Sequence, residues 1–176
     1  MKKINTNVLI TGSAGFIGFH VCKKLLELNY TVFGIDNLNN YYDVDLKNQR
    51  LKILKKYKNF IFNKIDIVDY NKVYKLFNKN KFKIIIHLAA QAGVRLSVDR
   101  PDIYFENNIK GFYNIIQISK IFKIYHLIYA SSSSVYGNSK KLPSSELDNT
   151  DKPESFYAAS KKCNEILAYS YSNIYK

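Results

Sequence analysis

Residues 8–21 read VLITGSAGFIGFHV: a short apolar, β-rich run, glycines at 12, 15 and 18, then apolar positions that resume at helical spacing. A strand that passes through a glycine-rich turn straight into a helix admits few folds, because the helix must pack back onto the sheet that the strand begins. The glycines themselves leave two readings open. They make either an ordinary close-packed turn or a turn kept clear of side chains for a phosphate.

The rest of the chain repeats the alternation. Short β-rich runs occur at 8–11, 31–36, 59–66, 83–90 and 125–131, and helical spacing at 16–28, 43–57, 70–79, 102–122 and 154–175. Strand and helix alternating without a break predict right-handed crossovers and a parallel sheet covered on both faces. The expected fold class is therefore α/β, a Rossmann-like doubly wound parallel sheet. No linker or low-complexity segment interrupts it, and 176 residues build one domain more readily than two, so residues 1–176 are expected to form a single domain. Ligands of such sheets gather beyond the carboxyl ends of the strands.

The formal charge of +13 raises the question of a nucleic-acid partner. Arg50, Arg95 and Arg100 are the only arginines, whereas base-edge and bidentate phosphate recognition favours arginine over lysine. The lysines accompany a general excess of Asn, Ile, Tyr and Phe, the mark of a genome poor in G and C. Between 47 and 83, Arg50 and a series of lysines beginning with Lys47 outnumber Asp66 and Asp69, and a solvated helical face accounts for that run. No nucleic-acid partner is expected. Nor is a membrane partner, for no apolar run reaches the length of a span. Met1-Lys2-Lys3 followed by an apolar stretch imitates a secretory signal, but Gly12, Gly15 and Gly18 interrupt it and no small-residue cleavage site follows. Cys22 and Cys163 lie far apart with no ligand-like neighbour at metal spacing, so neither a disulfide framework nor a metal site is expected, and a cytoplasmic location follows.

The position of the glycine turn, after the first strand and before the first helix, is where backbone N–H groups and the positive end of a helix dipole meet a pyrophosphate. Asp36 closes the second strand, at the roughly 20-residue interval where a dinucleotide fold places its ribose-binding carboxylate. A carboxylate there repels the 2′-phosphate of NADP, so NAD is the expected cofactor.

Instead of G-x-G-x-x-G, the turn reads GSAGFIG, which resembles the extended short-chain dehydrogenase/reductase (NAD-dependent epimerase/dehydratase) family. HLAAQAGVR follows the fourth strand run, SSSSVYG the fifth, and Tyr157 and Lys161 stand in YAASK. Four-residue spacing puts that tyrosine and lysine on one helical face. A neighbouring ammonium favours negative charge on a phenol oxygen, which fits Tyr157 as a general base. Ser132 suits a hydrogen bond to the same substrate hydroxyl, while Ser131, Ser133 and Ser134 are read equally well as turn formers. The resemblance implies proton transfer by Tyr157, ribose contact and tyrosine activation by Lys161, and substrate-hydroxyl contact by Ser132. It also implies a cofactor site made of Gly12, Gly15, Phe16, Ile17, Gly18, Asp36, Asp66, Ile67, Ala89, Tyr157 and Lys161.

Related sugar-nucleotide 4,6-dehydratases carry an Asp-Glu pair where this chain has Ser133 and Ser134, and UDP-glucuronate decarboxylases a glutamate at Ser134. Without those carboxylates the set is that of an epimerase. GIDNLNNYYDVDLK, HLAAQAGVR and FYAASKKCNE are similar to stretches of bacterial UDP-glucuronate 4-epimerases, more so than to UDP-galactose 4-epimerases. Implied are transient oxidation at C4 of a UDP-sugar, a homodimer built on the helices near 102–122 and 154–175, and a chain about twice this length, so the substrate-binding C-terminal region is expected to be missing here. The alternatives are a non-catalytic NAD-binding module or fragment, or an epimerase of another UDP-sugar such as UDP-glucose/UDP-galactose.

Overall fold

A computed structural model describes residues 4–139 and 142–175. Five strands, β1 (Ile4–Thr11), β2 (Tyr30–Asp36), β3 (Phe60–Lys64), β4 (Ile84–His87) and β5 (His126–Tyr129), form one sheet in the order β3-β2-β1-β4-β5. Every neighbouring pair is parallel. The central strand is buried on both faces, with Val8, Leu9 and Ile10 inaccessible, as a parallel sheet under two helical layers requires. Helices α1 (Phe16–Glu27), α2 (Val44–Leu54) and α3 (Tyr70–Lys79) connect the first four strands. Cys22 and Leu26 of α1 and Leu51 and Leu54 of α2 pack with Val8, Ile10, Val32 and Phe60 in one core cluster. The chain divides into two compact units, Met1–Ala89 with Gln117–Tyr129, which holds the sheet, and Ala90–Ile116 with Ala130–Lys176.

The second unit is more helical: α4 (Leu96–Asp99), α5 (Pro101–Tyr104), a π-helical turn Phe105–Lys110, the start of α6 (Gly111–Ile121), a 3-10 turn Ser133–Tyr136 and α7 (Phe156–Ile174). The expected single helix at 102–122 is thus α5, a π turn and α6. Apolar periodicity marks a helix there but does not encode the wider hydrogen-bond ring of the middle turn. Pro101 sits at the start of α5, where its missing N–H costs nothing, and the short α4 before it was not anticipated.

The later strands are shorter than the runs at 59–66, 83–90 and 125–131. Beyond His87, the Ala89 N–H turns to the Thr11 hydroxyl (3.0 Å) and ends the ladder; β5, paired only with 84–87, ends with it. The basic run also differs from a uniformly solvated face. Lys52, Lys55, Lys56, Lys58, Lys64, Lys72, Lys75, Lys79, Lys81 and Lys83 are exposed, but Lys47 is only 4% exposed. Cys22 and Cys163 are free thiols. No helix among the described residues is long and apolar enough to cross a membrane.

Candidate functional site

In the first unit the chain reverses at Gly12, whose φ of +70° only glycine adopts readily. A Cβ there would stand 2.8 Å from the Ala89 nitrogen, so β1 and β4, the strands on either side of the point where strand order reverses, end in contact through a bare backbone. One turn into α1, a Cβ on Gly18 would overlap the Gly12 carbonyl oxygen at 2.0 Å. Gly15 occupies the N-cap of α1 without a side-chain cap, and Phe16 and Ile17, the next two residues, are exposed. The first N–H groups of this twelve-residue helix therefore receive no acceptor from a cap side chain. These residues fit a pyrophosphate: the cradle is one that any side chain at Gly12 or Gly18 would fill, and the helix end favours negative charge.

Asp36 ends β2 facing this turn. Its Oδ2 accepts the Ala14 N–H at 3.1 Å and its Oδ1 the Leu38 N–H at 2.9 Å, so the carboxylate is held by backbone donors with lone pairs to spare. At the end of β3, Asp66 accepts from Asn37 Nδ2 (2.9 Å) and from the Val68 N–H (2.9 Å), and Ile67 is buried. Gly12, Gly15, Phe16, Ile17, Gly18, Asp36, Asp66, Ile67 and Ala89 all follow or close strands of the first unit.

Ser132, Tyr157 and Lys161 lie together in the second unit. Ser132 is three residues past the last residue of β5 and caps the 3-10 turn, its hydroxyl accepting the Ser134 N–H at 3.2 Å and lying 3.2 Å from Ser134 Oγ. Ser155 caps α7 through the Ala158 N–H, which starts that helix two residues before Tyr157. Tyr157 is half-buried and its ring meets the Tyr104 ring edge-on, centroids 6.0 Å apart. Lys161, one turn on, is 6% exposed, and its Nζ donates to the Ala130 carbonyl at 2.9 Å. Burial pushes its ammonium down from 10.5 to about 8. A second tie runs from the Ser131 hydroxyl to Glu165 Oε1 at 2.5 Å, so the serine segment is fastened to α7 at two points.

Asn108 escaped the sequence reading. From the π turn its side chain accepts the Gln91 N–H (2.7 Å) and donates to the Gln91 carbonyl (3.0 Å) and to Ser160 Oγ (3.0 Å), while Ser160 donates to the Tyr157 carbonyl (2.7 Å). The available signal was an asparagine on the apolar side of a helical stretch. Glu165, four residues past Lys161, was likewise passed over.

The sequence of the GDP-mannose 4,6 dehydratase family matches residues 9–176. The chain belongs to that family. Protein CapI of Staphylococcus aureus is 49% identical to it over 168 residues, covering 96% of this chain and 50% of that protein. A probable UDP-glucuronate 4-epimerase of Rhizobium meliloti is 42% identical over 168 residues, covering 96% of this chain and 49% of that one. The crystal structure of a UDP-glucuronic acid 4-epimerase from Bacillus cereus, in complex with UDP-glucuronic acid and NAD, superposes with a TM-score of 0.88 at 33% identity, covering 97% of this chain and 53% of that one. The chain spans about half the length of these relatives. The Rossmann-like reading of the fold agrees with these neighbours, as does the resemblance drawn from GSAGFIG and YAASK.

Proposed function

We propose that this chain is the cofactor-binding and proton-transferring part of an NAD-dependent UDP-sugar 4-epimerase, with UDP-glucuronate and UDP-galacturonate as the interconverted pair, acting in the cytoplasm as a homodimer. The observation that carries the reading is the composition of the segment after β5: a serine stretch fastened to the helix of Tyr157 and Lys161, with Ser133 and Ser134 where a dehydratase needs an acid and a base. Bound at the glycine turn, NAD supplies reversible hydride acceptance at the sugar C4. Gly12, Gly15 and Gly18 would leave room for its pyrophosphate, the N–H groups of Phe16 and Ile17 would donate to it, and Asp36 would accept from the adenosine ribose. Asp66, Ile67 and Ala89 would border the cofactor, and the family resemblance assigns Lys161 to its nicotinamide ribose.

Tyr157 takes the proton of the 4-hydroxyl and returns it when the hydroxyl is re-formed with opposite configuration. Ser132 hydrogen-bonds the same oxygen and steadies the proton in transit. Lys161 sits on the same face of α7, and at neutral pH its ammonium, still mostly protonated, stabilises the charge that develops on the phenol oxygen. Positioning of reactants is worth about 7–11 kcal/mol of a barrier. A chain of 176 residues, half the length of its relatives, is accordingly expected to bind NAD and turn over little sugar.

The test is a protein extended by the remaining half of a family member, assayed on UDP-glucuronate, UDP-glucose and their C4 epimers. Interconversion of the uronates, lowered at least ~10²-fold in kcat by Tyr157→Phe with NAD affinity little changed, is the expected result. Release of a 4-keto-6-deoxy sugar, or NAD binding without turnover of any UDP-sugar, overturns it. Preference for the neutral hexoses would keep the epimerase and replace its substrate.

A further inference from the structure

Ala14, inside the glycine turn, is gripped from two sides. Its N–H donates to Asp36 Oδ2 at 3.1 Å, and its carbonyl accepts from Arg50 Nη1 at 3.2 Å. Tyr42 completes the second grip: its hydroxyl takes a hydrogen bond from Arg50 Nη1 at 3.1 Å and lies 3.5 Å from the same carbonyl. Three residues before Arg50 on α2 comes Lys47, the buried member of the basic run. Its Nζ donates to the Asn39 carbonyl (2.8 Å) and to Asn39 Oδ1 (2.7 Å), and its ammonium stands 4.6 Å from the centre of the Tyr42 ring. Burial lowers the Lys47 ammonium most; Asp36 opposes that effect and Arg50 adds to it, which places the carboxylate and both cations in one electrostatic neighbourhood.

A guanidinium has five N–H donors in a planar fork suited to phosphate. Here only Nη1 of Arg50 has hydrogen-bond partners among the described residues, so the donors on Nε and Nη2 have no acceptor beside the turn. The guanidinium carbon stands 5.9 Å from the centres of the Phe16 and Tyr42 rings, contacts that orient the group and leave those N–H donors without a hydrogen-bond acceptor among the described residues. A buried lysine and an oriented arginine next to the carboxylate that would receive a ribose are more positive charge than a ribose alone requires.

We propose that Lys47 and Arg50 form a latent receptor for a phosphate on the adenosine ribose, the 2′-phosphate of NADP, and that the Asp36 carboxylate alone masks it. The proposal rests on the reading of the turn as a dinucleotide site. Cofactor choice is then set by one negative charge placed against a phosphate-binding frame. Removing that charge unmasks the receptor with no cation added.

Calorimetric titration of the 176-residue chain with NAD and with NADP tests this directly. In the wild type, NAD binds at least about tenfold more tightly than NADP. In Asp36→Asn the order reverses, and NADP binding weakens steeply with salt. In Asp36→Asn/Arg50→Gln the NADP-to-NAD affinity ratio falls back by about tenfold or more. Asp36→Asn that keeps the wild-type circular dichroism and binds NAD, yet holds NADP no more tightly than the wild type, overturns the proposal; so does an unchanged ratio in the double variant. Should Asp36→Asn fail to fold, Arg50→Gln alone decides: the ratio drops by about threefold or more if Arg50 already offsets part of the repulsion, and an unchanged ratio refutes it. A wild type that binds neither dinucleotide is a separate result, which removes the dinucleotide site and this receptor with it.

Discussion

Lys161 Nζ donates to the Ala130 carbonyl at 2.9 Å, joining the middle of one turn of α7 to the segment that leads into Ser132. The ammonium is largely withdrawn from water, and its value falls from 10.5 to about 8. Between those two values the unfolded chain binds more protons than the folded one, so the stability contributed by this group rises with pH. The penalty is fully present below about 8 and gone above about 10.5. The melting temperature of the wild type, relative to that of Lys161→Met, is therefore expected to increase as pH is raised through this window. A difference that stays flat would mean that the ammonium is not desolvated.

Gly18→Ala places a methyl group against the Gly12 carbonyl, where a Cβ would lie 2.0 Å from oxygen. Backbone cannot yield as a side chain does, and overpacking of this kind costs about 1–3 kcal/mol. For a chain of this size that is a fall of about 2–12 °C in melting temperature. NAD affinity is expected to fall as well, at least about tenfold, because the turn must open where the pyrophosphate would sit. Scanning calorimetry and titration check the two effects separately.

Asn108→Ala strips partners from the Gln91 N–H, the Gln91 carbonyl and Ser160 Oγ. Each buried polar group left unpaired costs about 1–3 kcal/mol, so a loss of at least about 2 kcal/mol is expected in urea unfolding. The neighbouring Asn107, half-buried, makes a single side-chain bond among the described residues, to the Ile103 carbonyl at 2.8 Å. Asn107→Ala is expected to cost no more than about 1 kcal/mol. Equal losses would show that the clamp on Gln91 carries no special weight.

Along α7, Ile166 is 59% exposed, Tyr169 74% and Ile174 65%, an apolar series on a helix otherwise anchored by Ala158, Ser160, Lys161 and Asn164. A homodimer that covers this series is expected to be lost in Ile166→Glu/Tyr169→Glu. Light scattering at tens of micromolar reads the outcome: a dimer for the wild type and a monomer for the variant, each with the same circular dichroism. A monomeric wild type would refute the dimer.

What could be read from the sequence was whatever depends on pattern: the order of elements, the glycine turn, Asp36 at the end of β2, and Tyr157 and Lys161 one helical turn apart. What could not was set by partners distant in the chain. Lys47 and Lys52 are indistinguishable as letters, yet one is held by Asn39 and the other is exposed. The strand runs near 83–90 and 125–131 were read too long because apolar residues continue past the last ladder bond. The π turn at 105–110 and the Asn108 clamp depend on hydrogen bonds between segments that periodicity does not describe.

Thr11 gives the β1–β4 junction a chemical grammar of its own. Its hydroxyl oxygen accepts the N–H groups of Leu88 (3.1 Å) and Ala89 (3.0 Å), which occupies both lone pairs, and its single proton is left for His87 Nδ1 at 2.8 Å. An imidazole that accepts this proton at Nδ1 carries its own on Nε2. One oxygen atom thus links both backbone amides after β4 and the imidazole that ends it. The vocabulary allowed at position 11 shrinks accordingly: serine can repeat all three bonds, whereas valine, with the same outline, would take the hydroxyl away from the Ala89 N–H and His87 Nδ1 and leave the Leu88 N–H the main-chain carbonyl of position 11, 3.2 Å away.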